Sequence, residues 1–161
     1  MSESEKLSPI QSYINDLEHF ITGNNFWQVS QVKQLDGLDH KQALFRPAPD
    51  RHCIWELVRH INYWKYWALT YVNDGVALDA KNDNWAPLPE VQDEKEWQAD
   101  FNKLKSLHEE CTAAAEKIGD DLFRSTDKKV VFFRQLLYHD CYHTGQIGLL
   151  RVLQGLKPLD T

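Results

Sequence analysis

Apolar residues recur along this chain at helical spacing, in segments separated by Gly23, Gly37, Gly75, Gly119 and Gly155. Ser8-Pro9-Ile10-Gln11 offers a cap, a proline at the first helical position and a capping-box glutamine. Ile10, Ile14, Leu17 and Ile21 then share one face, and Gly23-Asn24-Asn25 ends or kinks this first helix. Phe26–Leu35 reads as its continuation or as a second short piece. Arg46-Pro47-Ala48-Pro49 interrupts helix, because each proline restricts the residue before it. Asp50 is placed to cap a helix from about His52 to Asn73, with Leu57, Ile61, Trp64, Ala68 and Tyr71 facing inward and Gly75 ending it.

Residues 76–92 form a long connection containing Trp85, Pro87 and Pro89. Connections of that length in compact proteins are often functional, and this one is placed to cross a bundle end and cover a site. Asp93-Glu94-Lys95-Glu96 reads as a second capping box. Trp97, Phe101, Leu104, Leu107 (or His108), Cys111, Ala115 and Ile118 carry a helix to Gly119. The last helix runs from about Lys129 to Gln154, with Phe132, Leu136, His139, His143, Gln146, Leu150 and Leu153 on one stripe. Val130-Val131-Phe132-Phe133 has β-propensity but leads straight into that helix. The expected class is therefore all-α, with 1–161 as one domain and 1–7 flexible.

Composition narrows the function. With 42% hydrophobic and 26% charged residues, neither disorder nor a membrane span fits. The net charge of −6, with Lys128–Lys129 as the only adjacent basic pair, argues against nucleic-acid binding. Cys53, Cys111 and Cys141 are odd in number, widely separated and form no CxxC, which suits reduced thiols in a cytoplasmic protein.

The chemistry lies in histidines. His139 and His143 are four apart, so both rings share one helix face within reach of a single ion. His60 sits between Leu57 and Trp64 on an inward stripe and is the best third ligand. Burying three uncoordinated imidazoles is costly, and a shared cation satisfies them together. Glu56 is the reserve ligand, through His52-x-x-x-Glu56-x-x-x-His60, although a carboxylate in a first helical turn is favourable anyway. Gln146 shares the face of His139 and His143 and is placed to orient a ligand or to sit at a pocket edge. Asp140 and Cys141 are rotated away from that face. Tyr63, Trp64, Trp67 and Trp85 either wall a pocket or pack the core, and His19, His40 and His108 read as surface or packing residues.

Two stretches resemble a known family. Arg46-Pro47-Ala48-Pro49, with His52-Cys53-Ile54-Trp55-Glu56-Leu57-Val58-Arg59-His60-Ile61, is similar to the second-helix signature of the DinB-like superfamily. Tyr138-His139-Asp140-Cys141-Tyr142-His143-Thr144-Gly145-Gln146-Ile147 resembles its last-helix motif, the more specific of the two. Trp85 and the Trp97 region resemble the branch of unknown function, and the likeness runs from about residue 10 to 155. The resemblance implies a four-helix bundle, up-down-down-up, with the 76–92 connection letting helices two and three run parallel. It implies a metal site on His60, His139 and His143, a nickel, zinc or other first-row ion (iron or manganese among them), and a homodimer. It also implies, for some relatives, transfer of a low-molecular-weight thiol to a small electrophile. Three nitrogen ligands leave an ion open to water or substrate, which favours chemistry over scaffolding. The leading expectation is a metal-dependent thiol transferase. The alternatives are a metal-dependent hydrolase, with Glu56 as the nearest general base, and a non-catalytic metal-binding or interaction protein.

Overall fold

The computed structural model describes residues 6–23, 29–79, 84–157 and 159. Among them are seven helices and no strand: α1 (Pro9–Ile21), α2 (Gln31–Leu35), α3 (His40–Ala43), α4 (Ile54–Asp74), α5 (Glu94–Ile118), α6 (Asp120–Arg124) and α7 (Lys128–Leu153). The all-α expectation holds. No helix among the described residues is long and apolar enough to cross a membrane.

Local signals set most boundaries. The Ser8 capping box forms in both directions, with Gln11 N–H on Ser8 Oγ and Ser8 N–H on Gln11 Oε1. Asp93 caps α5 through the Glu96 N–H. Gly75 ends α4 at φ 74°, a left-handed conformation that favours glycine. One expectation shifts. The fourth helix begins at Ile54 rather than His52, because Glu56 reaches back to the Cys53 N–H at 3.0 Å and makes Cys53 the cap in place of Asp50. The last helix, expected from about Lys129, begins at Lys128, capped by Asp127, and Val130–Phe133 lies inside it as expected. Residues 24–28, which include most of the start of the second short piece, lie outside the described residues, as do 1–5 of the segment expected to be flexible.

The four long helices, α1, α4, α5 and α7, build two apolar clusters. One gathers Leu17, Phe20 and Ile21 of α1 with Ala68, Leu107, Cys111, Phe133 and Leu136. The other gathers Trp55, Val58 and Ile61 of α4 with Trp97, Leu104, Ile147 and Leu150, together with Leu35 and Leu38 near the short helices. Along α4 the second cluster ends at Ile61 and the first resumes at Ala68; along α7 the first ends at Leu136 and the second resumes at Ile147. The buried polar residues gather at this junction: His60, Asn62 and Lys65 on α4, His108 on α5, and Asp140, His143 and Thr144 on α7. A polar layer thus lies between two apolar ones. Burial of such groups favours pairing: Asn62 donates to the Asp100 carbonyl, Gln31 donates to Thr144, Lys65 pairs with Asp140, and the buried histidines of α4 and α7 come together.

The inward face of α7 is rotated from the expected stripe. Its buried positions are Val130, Phe133, Leu136, Asp140, His143, Thr144, Ile147 and Leu150. Phe132, His139 and Gln146 sit at the edge, and Leu153 is 53% exposed. The reason is that α7 is apolar on more than one side, so periodicity alone does not centre its buried face.

Candidate metal centre

α4 contributes His60, and α7 contributes His139 and His143 one turn apart. One donor atom from each lies within 4.8 Å of those of the other two. His60 Nε2 and His139 Nε2 are 3.1 Å apart. Ligands about 2.0–2.1 Å from one ion stand roughly 3–3.4 Å from each other, so this pair is already at ligand spacing.

The outer nitrogens decide the tautomers. His60 Nδ1 lies 2.8 Å from the Asn84 carbonyl oxygen, His139 Nδ1 lies 3.1 Å from Asp140 Oδ1, and His143 Nδ1 lies 2.7 Å from Gln146 Oε1. All three partners are acceptors, so each Nδ1 carries the hydrogen and donates it. The Gln146 orientation is fixed in turn, because its Nε2 donates to the Tyr142 hydroxyl at 3.3 Å. In the neutral rings, the three Nε2 lone pairs are left for the shared space. Burial, with the neighbouring histidines adding to it, pushes His60 down to about 4, and burial also lowers His143. A proton bridging the close Nε2 pair would therefore create an imidazolium where burial disfavours one. A cation satisfies the same lone pairs, and the donor set suits a divalent first-row ion.

The supporting residues form a second tier of contacts. Asp140, buried in the polar layer, accepts from His139 and forms an ion pair with the equally buried Lys65. Burial opposes charge on both partners, but Lys65 holds Asp140 below the usual carboxylate range and Asp140 holds Lys65 above the usual amine range. A carboxylate behind a ligating histidine fixes its ring and raises its basicity. Sequence reasoning set Asp140 aside as rotated from the histidine face. Asp140 instead shares the buried face with His143, and from there its carboxylate meets Lys65 and the back of His139. Lys65 was missed. Its signal was a lysine four residues after Ile61 and three before Ala68, on an inward face where a charge needs a partner.

The long connection does cover the site. Asn84 accepts from His60 through its carbonyl and from Trp64 Nε1 through its side chain, and Leu78 O accepts from Trp67 Nε1. Trp85 stacks on His60 at 3.9 Å and on His52 at 3.7 Å, with both planes within 9° of parallel. Rings so close and so parallel must occupy opposite faces of the indole, which is clamped between them. Trp64 stands edge-on to His60 and His139 at 6.3 and 6.1 Å.

Glu56 is engaged elsewhere. It receives Arg46 in a two-armed pair, one arm 2.7 Å long, and also the Cys53 N–H and His52. Burial pushes its carboxyl up, but the Arg46 hydrogen bond and the other donors outweigh this and hold it at about 2. It is a cap and an ion-pair partner, outside the histidine cluster. Of the remaining histidines, His40 pairs with Glu94 and His19 with the Asn15 carbonyl, both at the surface, whereas His108 is buried 3.4 Å from Glu18.

Two cavities flank the cluster. One, of about 290 Å³, is lined by Trp64, Phe132, Gln135, Leu136 and His139. The other, of about 460 Å³, has His143, Gln146, Trp85, His52 and Tyr142 among its walls.

The sequence pattern of the DinB superfamily matches residues 30–147, most of the chain and all three histidines. The chain belongs to the DinB superfamily. No curated protein and no solved structure matches it. In this DinB-superfamily chain the matched span contains the three histidines that the geometry groups together, His60, His139 and His143.

Proposed function

We propose that His60, His139 and His143 hold one divalent metal ion through their Nε2 atoms, and that the protein is a metal-dependent transferase joining a low-molecular-weight thiol to a small electrophile. The observation that carries the site is the set of three Nδ1–H donations to oxygen, which leaves an Nε2 lone pair on each ring, with donor atoms of the three residues within 4.8 Å of one another and the His60 and His139 Nε2 atoms 3.1 Å apart. An ion with three imidazole ligands keeps an open position, where it lowers the pKa of a coordinated thiol or water toward neutrality. Nickel or zinc is the preferred ion, with iron or manganese as alternatives.

The chain's own residues have separable roles. Asp140 and Lys65 hold the His139 ring, Gln146 and Tyr142 hold His143, and Asn84 holds His60. Trp85 shields the His60 face from water. Two cavities, one touching His139 and one touching His143, provide separate places for two reactants, as a transfer reaction needs.

Hydrolysis is the weaker reading. It wants a general base beside the open position, and Glu56 is locked to Arg46 in the cap of α4. A closed, non-catalytic site is weaker too, since Gln146 spends its oxygen on His143 Nδ1 and does not serve as a fourth ligand. The same reading extends to a single-domain, up-down-down-up bundle, a homodimer in the cytoplasm, and small-molecule rather than nucleic-acid partners.

The deciding experiment is metal analysis of the purified protein, followed by cobalt substitution and addition of thiols. One equivalent of metal and a shifted cobalt spectrum on thiol addition are expected, with thiol transfer in a screen of electrophiles. A cobalt spectrum indifferent to every added thiol would sink the transferase reading while leaving the metal site standing.

A further inference from the structure

The two cavities beside the histidines differ in chemistry. The one of about 290 Å³ follows α7, where Phe132, Leu136 and His139 are spaced by four and by three and so share one strip of the helix. Trp64 of α4 completes the wall, its ring centroid 5.9 Å from that of Phe132 and 6.1 Å from that of His139, with its plane inclined to both. Phe132 is backed by Trp67 at 4.3 Å, and Leu136 belongs to the apolar core. The aromatic wall is therefore held in place before any molecule enters.

No acid, lysine or arginine lines this cavity. Its polar groups are largely engaged already. Trp64 Nε1 donates to Asn84 Oδ1, His139 Nδ1 donates to Asp140, and His139 Nε2 lies 3.1 Å from His60 Nε2. Gln135, an exposed residue of the wall, is the remaining polar side chain. A charge carried into this space would lose water and meet no counter-charge, which is costly. The cavity beside His143 is the opposite case, with Asp50, Arg51 and His52 in its wall.

Size narrows the occupant further. An apolar cavity of about 150 Å³ holds one benzene ring, so a volume of about 290 Å³ suits one or two fused rings with a small substituent. Inclined aromatic walls offer both edge and face contacts to a planar guest.

We propose that the cavity along Phe132 and Leu136 takes an uncharged, planar aromatic molecule, with one end against His139. Naming this guest as the electrophile, and leaving the His143 cavity to a charged thiol, rests on the transferase reading. The preference for an uncharged aromatic body rests on the cavity alone. Phe132 and Trp64 are then specificity determinants, acting on the electrophile rather than on the ion.

The test is equilibrium dialysis of the full chain, as purified, against 2-naphthol and against 2-naphthoate, which share a ring system and differ in charge near neutral pH. 2-Naphthol is expected to bind at least about tenfold more tightly than 2-naphthoate. Phe132→Leu keeps an apolar side chain but removes a ring, and is expected to weaken 2-naphthol about three- to tenfold. Gln135→Lys changes an exposed position, so the fold is kept. It supplies the missing counter-charge and is expected to narrow the gap between the two ligands about threefold. Circular dichroism checks that both variants are folded. No bound 2-naphthol, 2-naphthoate bound as tightly, or affinities unmoved in both folded variants would each overturn the proposal. None of these readouts involves thiol or turnover. A failure here leaves the transferase reading to its cobalt test, and a silent cobalt spectrum leaves this preference standing.

Discussion

His60 Nε2 and His139 Nε2 lie 3.1 Å apart although 79 residues separate them in sequence. Each ring is held from behind, His60 by the Asn84 carbonyl and His139 by Asp140, so neither can turn away without breaking a hydrogen bond. Replacing His139 or His143 by alanine should therefore abolish stoichiometric metal binding. In wild type, added nickel or zinc should raise the melting temperature, because a ligand that binds only the folded state stabilises it by mass action. The alanine variants should show neither bound metal nor that thermal shift. Full metal content in both would remove the site.

The buried Lys65–Asp140 pair should be sensitive to which partner is removed. Lys65→Met leaves a buried carboxylate uncompensated, and a loss of about 3–5 kcal/mol is expected in denaturant unfolding. Asp140→Asn keeps an acceptor for His139 but removes the charge behind it, and metal affinity should fall about 10–100-fold. Isothermal titration of both variants checks this; an Asp140→Asn protein with wild-type affinity contradicts the supporting role.

Glu56 gives a pH signature of its own. Its carboxyl is held at about 2 in the folded chain, below the ordinary glutamate value. A depressed carboxylate pKa contributes stability that is complete above the unfolded pKa of about 4.3 and is lost as pH falls through the folded value. Glu56→Gln should be less stable than wild type by about 1 kcal/mol near neutral pH, the scale of a lost helix cap. The gap should close between pH 4 and pH 2. A gap independent of pH would show that the ion pair with Arg46 contributes nothing.

Trp85 reports on the centre directly. Its indole stacks on His60 at 3.9 Å and its plane stands near-perpendicular to His143 at 6.3 Å. Titration with nickel should quench tryptophan fluorescence in wild type, and Trp85→Phe should lose the largest share of that quenching while retaining the metal. Undiminished quenching in the variant would place Trp85 outside the reach of the ion.

Much of this was legible in the chain. Caps and breakers named most helix ends, since Ser8, Asp93 and Gly75 act through hydrogen bonds and dihedrals within one or two turns of themselves. The spacing of His139 and His143 put their rings on one face, because helical geometry makes that a local fact. His60 followed from a histidine standing among inward apolar neighbours.

Tertiary structure decided the rest. The polar layer between two apolar clusters exists only once α4, α5 and α7 are side by side. Lys65 finds Asp140, Asn84 finds His60, and Trp85 enters between His52 and His60, each across a separation that no periodicity encodes. α7 states the limit most clearly. Its sequence offers apolar residues on two faces, and helical spacing defines faces relative to the helix axis without saying which neighbour meets them. Contact with α4 turned Asp140, His143 and Ile147 inward and left Tyr138, Tyr142 and Leu149 outside, and that choice placed the histidines in the site.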